Sequence, residues 1–368
     1  MITLAGFQIN KRGDKMKKFM YLVICTSLLV GCADQTPDPI KEPVADQTPA
    51  PSKEPVKGEE REIVVTDQLG REVTIKGDVN RIVSSYYITS SMLIALDAKD
   101  KVVGIEMKAD TREIYKQAAP EFLELPAVGS GKTFNVEEAL ALEPDLIILP
   151  YRLESFIPQI EALGIPVIAV EPESMENFLE CIQLVGTAIG HEQQADRLLK
   201  YFDEVTTEVG DLTKSLTERP SVYLAGSSNP LVTATGLMYQ NDLIEIAGGT
   251  NVTSHLTDAY WQTISNEEFL SMNPEYIYAV SYADYDLGAI TEETNFKGIE
   301  AVEKGNVSYF PSIIEPWDYP TPSAALGMLW LLNDLHPDLY SKEIYLEDAK
   351  TFYKDFYNIE VTDEALGL

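Results

Sequence analysis

The residues able to do chemistry in this chain are aromatic and hydroxylic rather than nucleophilic. They follow short β-rich runs, in Ser84-Ser85-Tyr86-Tyr87, Tyr151-Arg152, Gly226-Ser227-Ser228, Tyr282-Ala283-Asp284-Tyr285 and Glu315-Pro316-Trp317-Asp318. Open α/β sheets bind ligands at loops after strand C-termini. Tyr and Trp offer flat apolar area with a polar edge, which suits a chelate or a macrocycle. Tyr86, Tyr87, Tyr151, Tyr282, Trp317 and Asp318 are therefore candidate ligand contacts. For Tyr87 and Trp317 the competing reading is packing. Arg152 adds a guanidinium that can hold a carboxylate or catecholate oxygen bidentately, against the competing reading of a surface ion pair. His255 and Trp261 follow Gly248-Gly249-Thr250-Asn251 and complete the set.

Covalent and bare-metal chemistry are poorly supplied. The chain has 3 His and 3 Cys. No Gly-x-Ser-x-Gly elbow is present, so the reading as an enzyme lacks a nucleophile with its base. His191, His255 and His336 lack ligand spacing, which disfavours bare zinc or manganese against a chelated metal. Cys181 lies in an apolar helical run and reads as a core residue. Gly129-Ser130-Gly131-Lys132-Thr133 ends like a phosphate-binding loop, but Pro126 stands where that motif needs its first Gly. The stretch reads instead as a cleft-edge loop with no clear strand before it.

A thirteen-residue pattern occurs twice, 130 residues apart, as Glu137 to Leu149 and Glu267 to Ala279. The Glu-Glu pair, a Leu, a Pro and the acid after the Pro keep register. Asn135 and Ser265 stand three residues before Glu138 and Glu268, so each copy predicts a capping box. A short helix, a stop at the Pro and an apolar strand follow in both. Shared register points to two related lobes.

The N-terminus predicts export. Lys15, Lys17 and Lys18 precede an apolar run, Phe19 to Val30, too short to span a bilayer. Leu29-Val30-Gly31-Cys32 resembles a bacterial lipobox, with Cys32 the lipid acceptor and Met16 an alternative start. Residues 33 to 56 hold two near-identical 12-residue Pro-rich repeats, a semi-rigid tether with too few apolar residues for a core. A net charge of −31 excludes nucleic acid, because no basic stripe can neutralise phosphate. It also argues against lying directly on anionic lipid.

The predicted domains are a signal peptide at 1–31, a lipidated tether at 32–60, an N-terminal lobe at 61–190, an interlobe helix at 191–217 and a C-terminal lobe at 218–368. The fold class is α/β, with mostly parallel sheets. Glu62 to Lys76 reads as a hairpin. Strands are expected at 81–85, 101–105, 145–150, 166–170, 221–226, 276–281 and 307–311. Helices are expected at 90–96, 174–189, 191–216, 323–335 and 343–357.

In this order and spacing, Gly70-Arg71-Glu72-Val73-Thr74-Ile75, Arg81-Ile82-Val83, Leu163-Gly164-Ile165-Pro166-Val167, Glu245 to Val252, Trp317 to Ser323 and Leu326-Gly327-Met328-Leu329-Trp330 resemble one family. These are the class III substrate-binding proteins of ABC importers that carry iron-siderophores, haem or cobalamin. The resemblance spans residues 61 to 368. It implies two Rossmann-like lobes joined by one long helix, a ligand cleft between them and no catalysis. It implies a lipid-anchored extracytoplasmic monomer with no intrinsic cofactor, working with a permease and an ATPase. One acid per lobe at the repeated motif is implied to dock on permease arginines, and Glu137 and Glu267 match those positions; the competing reading is an acid suiting the helix dipole. A ferric chelate ranks first as ligand, then cobalamin, then haem or a nickel chelate, with His255 a candidate to complete iron coordination. A surface enzyme and an adhesion or signalling lipoprotein are the alternatives of other classes.

Overall fold

Strand pairing organises the chain around two parallel-rich sheets. The computed structural model describes residues 61–367. The signal segment, Cys32 and the Pro-rich repeats lie outside the described residues. The chain enters as an antiparallel hairpin, β1 (Glu62–Thr66) and β2 (Glu72–Lys76). Its turn is closed by Gly70 at φ +75°, a conformation that favours glycine. Alternation turns Val65, Val73 and Ile75 inward. The buried Asp67 carboxylate accepts from the Arg71 guanidinium and from the Ala169 amide, which fastens the hairpin to the first lobe.

The first sheet contains β3 (Ile82–Ser84), β4 (Val102–Glu106), β5 (Ala127–Ser130), β6 (Thr133–Phe134), β7 (Leu146–Pro150) and β8 (Val167–Val170). Their order is β6-β5-β4-β3-β7-β8, parallel except for β5–β6. The second contains β9 (Ser221–Ala225), β10 (Val232–Ala234), β11 (Thr250–Asn251), β12 (Trp261–Thr263), β13 (Tyr276–Val280) and β14 (Val307–Phe310). It runs β12-β10-β9-β13-β14, with β11 beside β9. Here β10 is antiparallel to β9 and β12, and the β9–β13–β14 core is parallel. β7 and β13 are the apolar strands of the repeated pattern. Each lies between its lobe's first strand and its last.

Two corrections concern this region. The stretch read as a loop without a clear strand before it is a β5–β6 hairpin that turns at Gly131 and Lys132, with Gly129 paired to Phe134. Gly129 is needed there, because a Cβ would meet the Thr133 carbonyl at 2.2 Å. The capping boxes are also unequal. Ser265 and Glu268 exchange both hydrogen bonds. Asn135 accepts from the Glu138 amide at 3.2 Å, and no return bond from the Glu138 carboxylate forms.

Helix Met175–Ile189 starts on a Ser174 cap and ends at Gly190, φ +76°. Helix Glu192–Thr213 follows and carries a buried stripe of Ala195, Leu198, Phe202, Val205 and Val209. The two helices pack closely where Gly186 meets Ala195. The C-terminal helices, Ala325–Leu335 and Lys342–Phe352, lead into a π-turn, Tyr353–Tyr357. That turn packs on helix Tyr87–Ala95 of the first lobe, whose nine residues are all buried. One hydrophobic core therefore runs from the first lobe through the long helix into the second.

Candidate ligand cleft

Four strand C-termini converge on one cavity. Tyr86 follows β3, Glu173 follows β8, Ser227 and Ser228 follow β9, and Tyr282 follows β13. Ile88, Val232, Met238, Gln240, Trp261, Tyr319 and Pro320 complete a lining around about 280 Å³. The wall is mostly phenol, hydroxyl and apolar surface. Its one ionisable carboxylate is Glu173, whose pKa is raised by burial and drawn back by Arg152 and Tyr86.

Behind the wall the polar groups are ordered. The Tyr282 hydroxyl donates to Asp318 Oδ2 at 2.8 Å, and Gln240 Nε2 donates to the Asp318 carbonyl at 2.9 Å. Asp318 is fully buried, and its carboxyl is pushed up to about 7 by desolvation. Tyr319 stacks on Tyr282 with centroids 4.7 Å apart and meets Tyr87 edge-on at 5.9 Å. Arg112 lies over the Tyr87 ring, 3.8 Å from its centroid.

The lobes are linked on two sides of this wall. Glu315 of the second lobe is fully buried and accepts four hydroxyls: Tyr87 at 3.0 Å, Ser91 at 2.5 Å, Tyr357 at 3.0 Å and Ser323 at 2.5 Å. Four donors fill a carboxylate's acceptor sites without a cation. At the more exposed side the Tyr260 hydroxyl donates to Glu171 at 2.7 Å. The Tyr239 amide also donates to the Glu173 carbonyl, at 2.8 Å.

The structure brings Tyr86, Trp261 and Tyr282 to the cavity. Trp261 reaches it because Gly226 leaves room; a Cβ there would lie 2.8 Å from the indole. Other sequence candidates stand elsewhere. Trp317 does not line the cleft: it is fully buried, and its indole donates to Tyr353 at 3.0 Å. Gly327 packs against its carbonyl, so the Trp317 motif builds the core that carries the C-terminal helices. Tyr87 is buried with its hydroxyl committed to Glu315, and Asp318 sits behind Tyr282. Tyr151 is half-buried, near Glu171 and Glu173. Arg152 donates from Nε to the Gly131 carbonyl, pairs through Nη1 with Glu173 at 3.4 Å and lies over Tyr86. His255 is exposed and near Glu268, away from the cavity lining.

Sequence reasoning missed Glu173, Met238, Gln240 and Tyr319. Tyr319 lies inside the Trp317 to Ser323 motif and Glu173 follows the strand expected at 166–170, so both carry a signal of position. Met238 and Gln240 open a short helix, Tyr239–Ile246, and nothing in their types marks them.

Glu137 and Glu267 are exposed in the first turns of helices Val136–Ala141 and Asn266–Met272. Neither makes an ion pair or side-chain hydrogen bond among the described residues. Among those residues, no cluster of His, Cys, Asp and Glu could hold a metal ion, and no helix is long and apolar enough to cross a membrane.

The sequence pattern of the periplasmic binding proteins matches residues 82–314, more than half of the chain. The chain belongs to the periplasmic binding protein family. It is 28% identical over 323 residues to the molybdate-binding protein MolA of Haemophilus influenzae, covering 80% of this chain and 90% of that protein. It is 25% identical over 333 residues to the ABC transporter substrate-binding lipoprotein YvrC of Bacillus subtilis, covering 87% and 97%. Among solved structures, a periplasmic solute-binding protein of Veillonella parvula superposes with TM-score 0.73 at 26% identity, covering 83% and 97%. Molybdate-bound MolA gives TM-score 0.73 at 26% identity, covering 82% and 99%. This periplasmic binding protein is thus the extracytoplasmic, substrate-binding component of an ABC importer, and its relatives work with permease and ATPase partners.

Proposed function

We propose that this component captures a compact metal species, an oxyanion or a small metal chelate, and hands it to a permease. The cavity of about 280 Å³ carries this reading. It lies just below the roughly 300–1,000 Å³ of pockets that hold drug-sized ligands, and is small for a corrinoid or a haem. The resemblance to a molybdate-binding protein over most of both chains supports the same size class. A ferric chelate is the second reading. Four aromatic rings on the lining, Tyr86, Trp261, Tyr282 and Tyr319, favour it.

In this reading Glu137 and Glu267 face the permease, one from each lobe. Cys32 carries the lipid, and residues 33–60 hold the folded part off the membrane. The lipobox supports that anchor, as does similarity to a protein described as a lipoprotein. Helix Glu192–Thr213 acts as the stiff interlobe element, and the buried Glu315 link limits closure.

The ligand class is tested by thermal unfolding of the full chain with molybdate, Ni(II)–L-histidine, a ferric catecholate chelate, haem and cobalamin. Tight binding to the native state alone stabilises it, by about 2.7 kcal/mol at a hundred times Kd, and so raises the midpoint. Molybdate or one of the small chelates should raise it. A rise with haem or cobalamin alone would reject the compact ligand.

A further inference from the structure

We propose that the segment Glu171-Pro172-Glu173 is a latch across the cleft mouth: the bond from the Tyr260 hydroxyl of the second lobe to the Glu171 carboxylate breaks and re-forms as ligand passes, and sets how often the cleft opens. This rests on the cavity being the ligand site and adds the control of its entrance.

The segment is the whole connection between β8 and the Ser174 cap of helix Met175–Ile189. It bonds the second lobe twice. The Glu171 carboxylate accepts from the Tyr260 hydroxyl at 2.7 Å, and the Glu173 carbonyl accepts from the Tyr239 amide at 2.8 Å. Neither Glu171 nor Tyr260 lines the cavity, yet Glu173 and Trp261 beside them do. The pair therefore joins lobe to lobe at the rim.

Both ends of the latch are anchored. Gln68 of the N-terminal hairpin accepts from the Glu171 amide at 2.6 Å and donates to the Asn177 carbonyl at 2.7 Å. Pro172 is buried and fixes φ between the two interlobe bonds. Across the mouth, the Thr235 amide donates to the Tyr260 carbonyl at 3.1 Å, and the Thr235 hydroxyl donates to the Ala259 carbonyl at 2.7 Å. Thr235 is fully buried. Groups held in place in this way lose little freedom when they bond.

Exposure separates this link from the Glu315 cage. Glu315 is fully buried, so parting it from its hydroxyls would leave a carboxylate unsatisfied. Glu171 and Tyr260 are half-buried, and water can take either group once their bond breaks. The mouth is thus the side that parts, and the cage is the side that holds.

The Tyr239 amide reports the opening. It begins helix Tyr239–Ile246, has no partner within that helix and is protected by the Glu173 carbonyl. The test is hydrogen–deuterium exchange on the full chain, resolved to this amide, with no ligand required. Tyr260→Phe and Glu171→Ala should each speed its exchange roughly fivefold, the effect of one net hydrogen bond on the opening equilibrium. The double variant should exceed neither single one, because both remove the same bond. Core amides of helix Glu192–Thr213 should exchange as in the wild type. Unchanged exchange at Tyr239 in both single variants, additive effects in the double variant, or equal acceleration of the core amides would each overturn the latch. Where molybdate or Ni(II)–L-histidine binds, its stopped-flow dissociation should speed by a similar factor, and an unaltered rate would also overturn the latch. Failure of both probes to bind would count against the compact-ligand reading and leave the exchange result to decide the latch.

Discussion

The two copies of the thirteen-residue pattern share a backbone and differ in how their helices are capped. Glu143 and Asn273, both after the short helix, take positive φ of 47° and 42°. Pro144 and Pro274 are buried next to them. Asp145 then accepts from the Asn80 and Arg81 amides at 2.9 Å, at the entrance to β3. Glu275 accepts from the Ser221 amide at 2.8 Å, at the entrance to β9. The acid after the Pro thus ties each repeated strand to its lobe's first strand. The caps diverge, with a complete box at Ser265 and half of one at Asn135. Backbone geometry, the strand clamp and the outward glutamates recur, while the cap chemistry drifts. Glu137 and Glu267 thus recur in the two copies although their caps differ.

Breaking the shared clamp should have the largest effect on stability. Asp145→Ala and Glu275→Ala should each cost about 1–3 kcal/mol, because each strands amides on a carboxylate hydrogen bond. Urea unfolding of both variants checks this, and similar losses are expected because the clamps are equivalent. An effect in one lobe alone would break the equivalence.

Removing the caps should sharpen the difference. Ser265→Ala should cost about 1 kcal/mol, within the usual range for a cap, and Asn135→Ala should cost less. Glu268→Ala should follow Ser265→Ala, whereas Glu138→Ala should be nearly silent, since only Glu268 returns its bond. Chemical denaturation of the four variants decides it. Equal costs at Glu138 and Glu268 would mean that the two caps work alike.

Much of the architecture was legible because apolar periodicity and capping residues are local signals. Ser174 three residues before Asn177 marked its helix, and Glu62 to Lys76 alternated as a hairpin does. β5, β6, β10 and β12 were not legible. They run for four residues or fewer and, unlike the equally short β3, β8 and β14, carry no apolar run of their own, so pairing with neighbouring strands holds them. In the cleft, the sequence marked loops rather than side-chain directions. Tyr86 and Tyr282 face the cavity, but Tyr87 turns to Glu315 and Trp317 into the core. Only the tertiary hydroxyl cage and Gly327 decide that. Arg152 was visible as a cation beside an aromatic, but its pairing with Glu173 and Gly131 was not.

The central claim is that Glu137 and Glu267, one per lobe, present this binding protein to its importer. It is tested by solute uptake in cells whose only copy carries Glu137→Ala with Glu267→Ala, with ligand affinity and melting temperature measured on the same protein. Both acids are exposed and unpaired among the described residues, so folding and affinity should stay at wild-type values. Uptake should fall at least tenfold, and further with both changed to Lys, because like charges would then oppose the arginines that the proposal places on the permease. Wild-type uptake by the double alanine variant at normal expression would contradict the claim and leave the two glutamates only their favourable place at helix N-termini.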